Sequence, residues 1–107
     1  MELSDGKWNK MSLVEQMGNV GSEVSRCIKW KNKNDKKNSN FAFERALELL
    51  DMTIKDSKNT KRLRELTRIR ETFIDYIVFD NQYRATDNLW NNYFLSFGFA
   101  ARNPQCV

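Results

Sequence analysis

"QMGNVGSEVSRCIKW", residues 16–30, decides how this chain is read. Two glycines three apart interrupt it, and each costs a helix about 1 kcal/mol against alanine. The apolar register is nevertheless the same on both sides of them. At 100° per residue Leu13, Met17, Val20, Val24, Cys27 and Ile28 fall on one stripe, with Val14 and the small residues Gly18, Gly21, Ser22 and Ser25 beside it. The glycines therefore read as part of a continuous helix, in a strip of minimal side chains that lets a neighbouring backbone approach closely. A competing reading makes "GNVGS" a loop whose N–H groups form an anion nest ahead of a helix starting at Ser22. The unbroken register favours the helix.

Outward from this stretch the spacing of three and four continues. Ser12 and Glu15 have capping-box spacing, so the first helix spans about 12–33. After the connector "NDKKN" come helices over about 40–55, 60–79 and 87–102, the last closed by Pro104. Strand-like alternation is scarce and the connectors are short. The expectation is an all-α single domain over 1–107, an antiparallel up-down four-helix bundle. The second helix should bury Phe43, Ala46, Leu47, Leu50, Thr53 and Ile54, leaving Glu44, Glu48 and Asp51 as a ridge. The fourth should pack Leu89, Trp90, Tyr93, Phe94, Phe97, Ala100 and Ala101. Leu95 and Phe99 point away from that face and need cover, from a second copy in a homodimer or from an N-terminal arm carrying Leu3 and Trp8.

The 107 residues are 40% hydrophobic and 30% charged, the balance of a globular domain, and include no histidine. Ser-His and Cys-His nucleophile pairs, a histidine base and histidine metal sites are thereby excluded, and no metal or cofactor is expected. Cys27 and Cys106 read as free thiols. "MELSDGKWNK" has no apolar signal core, and no apolar run approaches the ~20 residues of a membrane span. A cytoplasmic protein without a membrane partner is expected.

The net charge of +4 is unevenly spread. Arg26, Lys29, Lys31, Lys33, Lys36 and Lys37 against Asp35 bring residues 26–37 to +5. Residues 55–70 also reach +5, through Lys55, Lys58, Lys61, Arg62, Arg64, Arg68 and Arg70 against Asp56 and Glu65, and the remainder is −6. Two basic segments on an acidic body suit a nucleic-acid footprint or solvated connectors. Arg70 also breaks the pattern of the third helix, sitting amid Leu63, Leu66, Ile69, Phe73, Ile74 and Ile77. There it pairs with the acidic ridge, binds a ligand, or lies exposed at a helix edge. On the polar side of the first helix, Asn19, Glu23, Arg26 and Trp30 align as a candidate ligand or partner surface.

The succession of "SLVEQMGNVGSEVSRCIKWK", "FERALELLDMTI", "RLRELTRIRETFIDYI" and "LWNNYFLSFGFAAR" resembles a family of small prokaryotic helical proteins. These are similar to the HEPN-like bundles that accompany minimal nucleotidyltransferases as substrate-binding subunits. The resemblance implies a dimeric four-helix bundle that presents a substrate or contacts a nucleotidyltransferase partner. The ribonuclease branch of those bundles pairs an arginine with a later histidine, which this chain lacks. The expected function is thus non-enzymatic interaction. One alternative is nucleic-acid binding through segments 26–37 and 55–70. The other is a histidine-independent enzyme using Arg70 with Glu23 or Glu48.

Overall fold

Ser12 opens the longest apolar stripe as a reciprocal cap: its hydroxyl accepts the Glu15 N–H while the Glu15 carboxylate accepts the Ser12 N–H. A computed structural model describes the backbone of residues 5–102 and the side chains of 6–97, and its elements are helical throughout. They are α1 (Asp5–Asn9), α2 (Leu13–Asn32), α3 (Lys36–Lys55), a 3₁₀ helix (Ser57–Arg62), α4 (Leu63–Val78) and α5 (Asp87–Arg102). The chain is all-α. Helix α2 runs unbroken through both glycines, which removes the loop-and-nest reading of "GNVGS".

Three boundaries differ from the sequence reading. α3 starts at Lys36, not near residue 40, because Asp35 caps it by accepting the Asn38 N–H, turning "KKN" from connector into first turn. The stretch expected to open the third helix is 3₁₀, capped by Asp56 through the Lys58 N–H, and α4 proper starts at Leu63. α1 was not anticipated: its five residues are too few to show helical periodicity.

α2 lies between α3 and α5, and α4 packs on α3. The core between them holds Met17, Val20, Val24 and Ile28 of α2, Ala42, Ala46, Leu49 and Leu50 of α3, Leu66 and Phe73 of α4, and Trp90 and Phe94 of α5. Phe73 sets an edge against Trp90 at 5.6 Å and a tilted ring against Phe43 at 5.4 Å, so aromatic side chains close α4 onto α5. Leu63 and Leu89, expected in the core, are exposed; each lies in the first turn of its helix, where the apolar stripe has not yet met the core.

At one end of the molecule a buried polar cluster joins four elements. The Trp8 indole donates to Thr53 Oγ1 (3.0 Å), Gln16 Nε2 to Trp8 O and Asp56 Oδ2 (both 2.9 Å), and Asn59 Nδ2 to Gln16 Oε1 and Thr53 O (both 2.9 Å). Lys58 closes the cluster through Asp56 and the Asn9 carbonyl. Trp8 is therefore buried against the end of α3; it does not cover α5, as an N-terminal arm would, while Leu3 lies outside the described residues. Burial pushes the Asp56 carboxyl up, but hydrogen bonds from Lys58 and Gln16 outweigh it, and the group is held below the usual carboxylate range.

Candidate functional site

α2 and α5 diverge around an open groove of about 560 Å³, lined by Gly18, Gly21, Ser22, Val24, Ser25 and Arg26 on one side and Trp90, Asn91, Phe94 and Leu95 on the other. The small-residue strip forms one wall of this groove, and its four members play two roles. A Cβ at Gly21 would fall 2.7 Å from Phe94 Cβ, so α5 approaches α2 closely there and alanine does not fit. At Gly18 a Cβ would meet nothing within 4 Å, and Ser22 and Ser25 are exposed. Close helix packing at Gly18, Ser22 and Ser25 is thus corrected: they border open space, because α5 meets α2 at Gly21 and the groove opens beside that contact.

The far wall is unusual in its chemistry. α5 carries charge only at Asp87 and Arg102, in a chain that is 30% charged. Leu95 stands 62% exposed at the rim. Trp90 is fully buried, yet its indole N–H has no hydrogen-bond partner, the one such buried side-chain donor or acceptor among the described residues. The side chains of Phe99, Ala100 and Ala101 lie outside the described residues. Tyr93 donates to Glu65 (2.7 Å), itself bound through two atoms by Arg62; burial and that carboxylate push the Tyr93 phenol well up.

The remaining predicted residues are not brought together. Glu23 and Arg26 form an intrahelical pair at 2.8 Å, and Asn19 donates to the Glu15 carbonyl. Trp30 lies half-buried between the ammonium groups of Lys29 and Lys33, each 5.4 Å from its ring. Arg70 donates to Asp51 at 2.8 Å across the α3–α4 contact, both half-exposed. Glu48 holds Arg45 instead. Arg70, Glu23 and Glu48, the groups named for a histidine-independent enzyme, thus each hold a different partner. The two basic segments start from opposite ends of α3, but Arg64, Arg68 and Arg70 run back along it on α4, where Arg68 lies over the Tyr83 ring at 4.6 Å.

Among the described residues no cluster of potential metal ligands occurs, and no helix is long and apolar enough to cross a membrane. Cys27 is a buried free thiol in contact with Ser39, and burial raises its pKa; Cys106 lies outside the described residues. The groove was partly legible in the sequence, through its small residues and Leu95. The buried donor of Trp90 was not, since a tryptophan on a core stripe gives no sign of where its N–H ends. Comparison with protein families, curated proteins and solved structures finds no match to this chain.

Proposed function

We propose that this chain is a non-enzymatic interaction protein, an antiparallel up-down four-helix bundle that pairs with a second copy across the α2–α5 groove. The observation that carries this reading is the uncharged outer face of α5, with Leu95 exposed beside a wall of Gly18, Ser22 and Ser25. Two copies of a chain with net charge +4 repel, and they meet at least cost where neither presents unpaired charge. Arg26 lines the groove with its charge already matched by Glu23. In an isologous pair each Leu95 would enter the small-residue wall of the other copy. A dimeric bundle with no chemistry of its own agrees with the role of a substrate-binding or partner subunit beside a nucleotidyltransferase, which the resemblance to HEPN-like bundles implies.

Sedimentation velocity tests the reading with two variants. Leu95→Lys puts a charge at the rim, and Gly18→Leu, whose Cβ would meet nothing within 4 Å, sends a bulky side chain into the groove. Both should sediment as folded monomers where the wild type is a dimer. A wild type that remains monomeric at the highest attainable concentration would overturn the proposal.

A further inference from the structure

The end of the molecule where α2 and α4 finish and α3 and α5 begin collects two kinds of surface that rarely coincide. Lys29, Lys31, Lys33, Lys36 and Lys37 all lie within about a turn of it, and none forms an ion pair among the described residues. Lys36 and Lys37 occupy the first turn of α3, where the helix dipole is already positive, so they add to the potential. The acids at this end accept hydrogen bonds from neutral groups and keep their charge, so the five lysines and Arg84 face the four carboxylates of Asp35, Asp75, Asp80 and Asp87, and the end is basic by a margin of two. Asp35 caps α3, Asp87 accepts from Tyr76 and Asn32, and Asp75 is buried under the loop that follows α4, accepting the Tyr83 N–H. Asp80 is exposed.

The same end carries five of the seven exposed large hydrophobic side chains: Phe41, Val78, Phe79, Tyr83 and Leu89, with Phe79 the most open at 68%. Val78 and Phe79 close α4 and protrude where no neighbouring element covers them. A nucleic acid would use the lysines and a ring, but it gains little from valine and leucine. An anionic bilayer uses both kinds, because apolar tips enter the boundary below the headgroups while long lysine stems keep their ammonium groups among the phosphates.

We propose that this end is a peripheral docking surface for an anionic lipid membrane, with Val78 and Phe79 entering the headgroup boundary and the five lysines resting on the headgroups. It rests on residues separate from the α2–α5 groove, so either proposal can fail alone. The test is flotation of the full chain with vesicles of phosphatidylcholine alone and of equal parts phosphatidylcholine and phosphatidylserine. Binding is expected to the serine-containing vesicles only, with release at high salt. Lys33, Lys36 and Lys37 changed together to Gln should weaken it at least ~10-fold. Val78→Ser with Phe79→Ser, both exposed, should weaken it comparably with an unchanged far-ultraviolet spectrum. Of the three tryptophans Trp8 and Trp90 are fully buried, so a blue shift of emission on binding reports Trp30. Equal binding to both vesicle types, or no binding, would overturn the proposal. So would a serine double variant that floats like wild type, or a wild type that binds a single-stranded oligonucleotide but neither kind of vesicle.

Discussion

Replacing Gly18 and Gly21 by alanine, one at a time, separates two glycines that lie three residues apart in the same helix. Each change relieves a helix of its glycine and should by itself add about 0.4–1 kcal/mol. At Gly18 nothing in the chain opposes the new methyl group. At Gly21 the methyl would lie 2.7, 2.8 and 2.9 Å from Cβ, Cγ and Cδ1 of Phe94, against an ordinary carbon contact of about 3.5–4 Å. Those atoms are the root of the side chain, fixed to the α5 backbone, and the ring is held by Trp90 stacked at 6.3 Å and Tyr93 edge-on at 5.0 Å. No rotamer change moves Cβ, so α5 itself must give way. Overpacking of this kind costs about 1–3 kcal/mol, which exceeds the propensity gain. Gly18→Ala should therefore be more stable than wild type and Gly21→Ala less, the two differing by about 1–3 kcal/mol. At roughly 4–8 °C per kcal/mol for a chain of this size, their melting temperatures should differ by ~4 °C or more. Urea unfolding followed by circular dichroism at low protein concentration, with unchanged slopes, gives the comparison free of self-association. A Gly21→Ala protein as stable as wild type, or a weakened Gly18→Ala, would refute the packing argument.

Acid should unfold the protein through carboxylates held below their usual range, among them Asp35, Asp56 and Asp87. A depressed folded pKa contributes stability that is complete above the unfolded value and drains as pH falls through the folded one, so Asp56→Asn should flatten the pH dependence of the melting temperature below about pH 4. Tyr76, pushed up to about 12 by burial and by its hydrogen bond to Asp87, should give no phenolate absorbance until close to that pH in the folded protein. Arg84 holds φ 55°, a left-handed conformation that costs a side-chain-bearing residue about 1–2 kcal/mol; Arg84→Gly should raise stability by up to about 1 kcal/mol in urea unfolding. Arg70→Met should cost under about 1 kcal/mol, since its pair with Asp51 is half-exposed, and a larger loss would show that the pair is shielded from solvent.

The sequence displayed what repeats and concealed what is local or tertiary. The α2 stripe was legible because Met17, Val20, Val24, Cys27 and Ile28 recur at helical spacing, and all are buried. The Ser12 and Glu15 cap carries its own spacing and forms as read. Asp35 capping α3 was hidden by the lysines and asparagines around it, which look like solvated linker. Gln16, Asp56 and Asn59 were unreadable as a cluster, because they lie up to 43 residues apart and only the fold makes them neighbours. For the small residues the sequence supplied the strip but not the contact point. Which glycine meets α5 depends on helix crossing, and no periodicity encodes that.

The placement of α2 between α3 and α5 bears on how the chain matures during synthesis. α2 and α3 are joined by three residues, and their pairing can begin as soon as both are made. The contact of Gly21 with Phe94 spans most of the chain, and until α5 is complete the flank of α2 that receives it stays bare along with Phe73. A chain ending before residue 87 thus lacks α5 and carries an open apolar seam, the state in which partly folded proteins aggregate or attract chaperones. Stop codons or slow codons inside α5 would extend the life of that state. The last sixteen-residue helix is the lid on the core, and the timing of its arrival sets how long the core stands open.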